Sequence, residues 1–182
     1  MKKKDNRNTV DVRIGDVLKT WVVNTYGTDV ITLSKKSNFW MIIKQNLECR
    51  PKDYAPVTDR TEYISFVLLA NGTRTRLYCE PDPKHPERTS IQPNMIFRCC
   101  ISEKGEAIIR RLITEQFYNA FHCYMKGALN NNPEMAIVDA ITEFLMDSCH
   151  QEFDNRTIAR LTKHWYRYRL KNNDDLTIPI FF

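Results

Sequence analysis

Apolar residues follow one rhythm in the first hundred residues and another after it. Thr9–Ile14 alternates Val10, Asp11, Val12, Arg13 and Ile14, the period of a half-buried strand. Asp16–Asn24 places Val17, Leu18, Trp21 and Val22 at helical spacing, but its β-branched residues leave helix and strand both open. Asp29–Ser34 reads as a strand. Ser37 caps a helix over Asn38–Glu48, with Phe39, Ile42, Ile43 and Leu47 on one side. Two prolines make Arg50–Arg60 a loop. Thr61–Ala70 and Thr73–Glu80 flank Asn71-Gly72, the dipeptide a type I′ hairpin turn favours because both positions need positive φ. The first of these strands is apolar on both faces, so it belongs at the centre of a sheet. Pro81–Asn94, with four prolines, reads as a loop, and Met95–Ile101 as a further strand.

From Ser102 the spacing is helical. Glu103–Leu129 repeats Ile108, Ile109, Leu112, Ile113, Phe117, Ala120, Phe121 and Tyr124 on one side. Asn130–Pro133 interrupts it, with Asn132 as N-cap and Pro133 at the first position of a helix running to Ser148. That helix buries Ile137, Val138, Ile141, Phe144 and Leu145 and exposes Asp139, Glu143 and Asp147. A third helix spans Asn155–Lys171, capped by Asp154 or Asn155. The expected fold is α+β: an N-terminal mixed sheet with a hairpin and one or two helices, then a C-terminal three-helix unit. The divisions are a disordered basic arm at 1–8, an α+β part at 9–101, a helical part at 102–171 and a hydrophobic tail at 172–182.

Charge changes the picture at the third helix. The whole chain carries a net +5, but residues 155–171 hold six Lys or Arg and no acid, directly after 133–154 with six acids and no Lys or Arg. At about 100° per residue, Arg156, Arg160, Lys163, Arg167 and Lys171 share one stripe, opposite Ile158, Leu161, Trp165 and Tyr168. A helix of this kind can dock through Trp165 and present cations to nucleic acid. The same pattern fits a solvated charged face, or two helices that neutralise each other. A short connection into a basic third helix resembles helix-turn-helix units, though the usual turn glycine is missing. His164 and Tyr166 flank the stripe, and Tyr166 can meet a sugar-phosphate or stack on a base. Arg74 with Arg76, Arg110 with Arg111, and Lys2–Lys4 add weaker basic groups.

Candidate chemistry is sparse. The six cysteines form no C-x-x-C, and no H-E-x-x-H occurs. His122-Cys123 and Cys149-His150 are adjacent pairs, but helix neighbours point about 100° apart and do not share an ion easily. No metal and no cofactor is expected. Phosphate-binding glycine loops and a nucleophile elbow are absent, so no enzyme is expected. There is no signal-like N-terminus and no apolar run near the ~18 residues of a membrane span, which points to a cytoplasmic chain with reduced thiols.

The end of the chain, Asp174-Asp175-Leu-Thr-Ile178-Pro179-Ile180-Phe181-Phe182, resembles the acidic, Ile-Pro-Phe-ending tip of bacterial single-stranded-DNA-binding proteins. It differs in its short acidic run and in Ile180, which separates Pro179 from the aromatics. The resemblance implies a peptide that docks replication or repair proteins; the alternative is a terminal strand burying Ile178, Ile180, Phe181 and Phe182. The expected function is non-catalytic nucleic-acid binding, duplex DNA ahead of RNA, in a regulatory or replication and recombination accessory role. The alternative is an adaptor or inhibitor whose acidic and basic helix faces mate with a protein partner or with each other in a homodimer.

Overall fold

The computed structural model describes residues 9–34, 36–49, 57–68, 81–82, 85–89, 99–149 and 154–172. They form an α+β chain that divides into two compact units, Met1–Glu115 and Gln116–Phe182, the division falling inside the longest helix.

In the first unit β1 (Thr9–Arg13) lies antiparallel to β4 (Tyr63–Val67), with Thr9 opposite Val67 and Arg13 opposite Tyr63. β2 (Val30–Ile31) runs parallel to β4 on its other side, giving the order β1-β4-β2. β4 is therefore central, as its two-sided apolar pattern requires, and Ile64, Ser65, Phe66 and Val67 are all buried. Ser65 is tolerated there because its hydroxyl donates to Asp11 at 2.5 Å and accepts from Arg60. The strand expected over Asp29–Ser34 shortens to the two residues that lie alongside Ser65 and Phe66.

Asp16–Tyr26 resolves as helix α1, which buries Trp21 and Val22. Packing of that face outweighs the small cost of β-branched residues in a helix. Gly27 ends it with φ +71° and donates its N–H to the Val23 carbonyl, a left-handed cap that glycine adopts without strain.

In α2 (Asn38–Gln45) the Ser37 hydroxyl accepts from the Trp40 N–H at 3.1 Å, the expected cap. The helix stops short of Glu48. The Asn46 amide side chain donates to the Ile42 carbonyl, and Leu47–Cys49 becomes β3, antiparallel to β7 (Cys99–Ile101).

The proline-rich stretch expected to be a loop contains a small antiparallel pair, β5 (Pro81–Asp82) and β6 (His85–Thr89). Proline is compatible with a strand where its missing N–H is not needed by the ladder. The second hairpin strand, the N-terminal arm and the C-terminal tail lie outside the described residues.

Helix α3 (Glu103–Asn131) begins at a Ser102 cap, whose hydroxyl accepts from the Gly105 N–H at 3.0 Å. A Cβ at Gly105 would stand 2.4 Å from that of Asn46, so only glycine fits this approach.

The second unit contains the end of α3, then α4 (Ile137–Cys149) and α5 (Asn155–Lys171). Its core is Phe117, Phe121 and Met125, Ala140, Ile141, Phe144 and Leu145, with Leu161 and Trp165. Phe117, Phe121 and Tyr124 surround the Phe144 ring at centroid distances of 5.2–5.7 Å. α4 starts four residues later than Pro133. Asn132–Met135 forms a turn, and the first helical bond runs from Ala140 N–H to the Ala136 carbonyl. Pro133, Glu134 and Ala136 are exposed, so helix there would bury nothing. Val138, expected in the core, is also exposed.

A candidate nucleic-acid interface on the last helix

The outer side of α5 is a row of cations. Arg156, Arg160, Lys163, Arg167 and Lys171 are exposed, and none of them pairs with a carboxylate among the described residues at ion-pair distance. The sixth cation, Arg169, is buried and lies off the row. Leu161 and Trp165 anchor the opposite side.

Asp154 caps the helix by accepting from the Thr157 N–H at 2.9 Å. Hydrogen bonding to Thr157 holds its carboxyl below the usual range, and the charges of Arg156 and Arg160 help. A cation in the first turn, such as Arg156, sits at the wrong end of the helix dipole, a cost that the Asp154 carboxylate offsets in part.

Beside the cations, Tyr166 is 45% and Leu170 60% exposed, one turn apart. On α4, Asp139, Glu143 and Asp147 are exposed, and Glu143 accepts a long 3.4 Å bond from the Tyr124 hydroxyl. Arg110 and Arg111 are exposed on the part of α3 that belongs to the first unit, and Arg111 pairs with Glu115 at 3.5 Å. Arg74 and Arg76 lie outside the described residues.

His164, half-buried beside Lys163 and Arg167, meets α3. Its Nε2 lies 3.1 Å from the Nε2 of His122, and the two ring planes are within 6° of each other. Tyr118 stacks on His164 with centroids 3.7 Å apart, and Tyr168 stacks on His122 at 3.6 Å. The pattern behind this is Tyr-x-x-x-His on α3 and His-x-x-x-Tyr on α5. Residues four apart share a helix face, so each helix offers one phenol and one imidazole. Tyr118 meets His164 and His122 meets Tyr168, so the two helices run in the same direction. Lys126 Nζ lies 5.2 Å from the centre of the Tyr168 ring.

Burial lowers the His122 pKa to about 4, with the neighbouring His164 and Lys126 adding to it. Burial and Arg167 lower that of His164. Both rings are therefore neutral at pH 7, one donating its Nε2–H and the other accepting.

Sequence neighbours do not complete this pair. Cys123 is exposed beside half-buried His122, and burial pushes the Cys149 thiol up to about 11. Among the described residues no three His, Cys, Asp or Glu gather as metal ligands. No helix there is long and apolar enough to cross a membrane. The signal for the imidazole pair was present in the two spaced Tyr–His motifs, but joining them required knowing that α3 and α5 lie side by side. The chain matches no protein-family model, no curated protein and no solved structure.

Proposed function

We propose that this protein binds nucleic acid without catalysis, duplex DNA ahead of RNA, in a regulatory or replication and recombination accessory role. The observation that carries the reading is the row Arg156, Arg160, Lys163, Arg167 and Lys171, exposed and, among the described residues, without a carboxylate at ion-pair distance, on a helix anchored by Leu161 and Trp165. Cations spaced along about 20 Å of helix can follow a phosphate backbone. The α4–α5 pair then acts in the manner of a helix-turn-helix, with α5 as the reading helix and Tyr166 at its edge.

Retention of duplex, single-stranded and RNA oligonucleotides on the full chain tests this at several salt concentrations. Duplex binding should weaken steeply with salt. Arg160→Glu with Lys163→Glu should reduce the slope of log affinity against log salt by about 2, at roughly 0.9 per phosphate contact. Unchanged affinity in that variant overturns the reading.

A second reading, a protein adaptor, inhibitor or homodimer, draws on the exposed acids of α4 alongside exposed Val138 and Met146. Retention of an acidic protein, or concentration-dependent self-association without any affinity for nucleic acid, would favour it.

A further inference from the structure

We propose that His122 and His164 form a two-imidazole chelate for a first-row transition-metal dication of the nickel, copper or zinc type. Two nitrogens bound to one such ion at about 2.0–2.1 Å, with an angle of roughly 100–110° between the bonds, stand about 3.1–3.4 Å apart. The two Nε2 atoms are already 3.1 Å apart. The ring planes are parallel to within 6°, and the centroids, at 5.1 Å, stand farther apart than the two Nε2 atoms, so the nitrogens lie on the edges that the rings turn toward each other.

The pair is also held in position. Tyr118 covers the face of one ring and Tyr168 that of the other, which limits rotation of either imidazole. Preorganised ligands lose little rotamer entropy on binding. Imidazole nitrogen suits these borderline ions and is a poor ligand for magnesium or calcium.

In the metal-free state one Nε2 carries a proton that the other accepts. Coordination moves that proton to Nδ1 of the same ring through solvent, leaving both Nε2 lone pairs for the ion. No net proton is released, and no electron is transferred. Water completes the coordination shell, as befits an exchangeable ion bound by two protein ligands. The ion would tie α3 to α5 beside the Trp165 anchor, whose ring centroid lies 6.3 Å from that of His122. This inference is independent of the nucleic-acid reading, which rests on other residues.

The test is titration of the full chain with zinc and with copper against a chromophoric competitor. The intact protein should bind one equivalent and gain thermal stability, since a ligand held by the folded state alone raises its stability. His122→Ala and His164→Ala should each weaken binding by about tenfold or more, whereas Cys123→Ser should leave it unchanged. A measurement on the unaltered chain guards against variants that fold poorly. Copper electron paramagnetic resonance should show coupling to two imidazole nitrogens, and zinc should shift the Nε2 resonances of two histidines. The proposal is overturned by absent binding, by binding equal in the histidine variants, or by spectra reporting thiolate or single-imidazole coordination.

Discussion

The two sides of α5 follow opposite rules. The outer side gathers five like charges, none with a carboxylate at ion-pair distance among the described residues, at a cost to the isolated helix. The inner side satisfies its polar groups against a neighbour: His164 bonds His122, and two tyrosines cover the pair. Trp165 is an exception, because its indole N–H is buried and meets no acceptor among the described residues. An inner side of this kind settles position; an outer side left uncompensated is available to something else. Folding and function can therefore be disturbed separately on one helix, and that separation is open to test.

The largest effect should come from the anchor. Trp165→Ala should lower unfolding free energy by about 3–5 kcal/mol, the range for emptying a large aromatic site. Trp165→Phe should cost well under half of that, because no hydrogen bond of the indole is lost. Chemical denaturation with both variants measures the difference. Equal losses would mean that the N–H does have a partner.

On the outer side, Arg160→Glu with Lys163→Glu should cut duplex affinity by about 100-fold at low salt, at roughly tenfold per phosphate contact. Stability should stay within about 0.5 kcal/mol of the parent, as for surface changes generally. A large loss of stability would show that the row takes part in folding and would merge the two sides.

Acid should act on the inner side alone. The folded-state pKa of His122 is lowered to about 4, below the 6.5 of the free side chain, and that of His164 is lowered too. The unfolded chain therefore binds protons first. Stability from this pair is complete above about pH 6.5 and declines as pH falls toward 4. Denaturation of the metal-free protein across that window should show the decline, and His122→Gln should flatten it. Stability rising on acidification would refute the shift.

The smallest effect should be at the cap. Asp154→Ala should cost about 0.5–2 kcal/mol, typically near 1. Thermal melts would detect it, with the outer row left in place to bind.

How much of this was legible beforehand depended on how local the cause was. The caps at Ser37 and Asp154 needed only a side chain and an amide three residues on; Ser37 forms as read, and of the two candidates Asp154 and Asn155 the first is the cap. β4 carried its central place in its own two-sided apolar run. α1 was ambiguous because packing of Trp21 and Val22 decided against β-branched propensity. α4 began late because Pro133 marks where a helix can start, but burial sets where it does. β5 and β6 were hidden by prolines that discourage strands without forbidding them.

From residues alone came the α+β order of elements, the amphipathic helices and the outward cation row. Each follows from spacing along one segment, which a chain carries wherever it packs. The meeting of His122 with His164, the burial of Arg169 and the need for glycine at position 105 were decided by tertiary structure. These depend on which helix or loop lies opposite. The free energy of that choice is summed over the whole core, so no single stretch of sequence contains it.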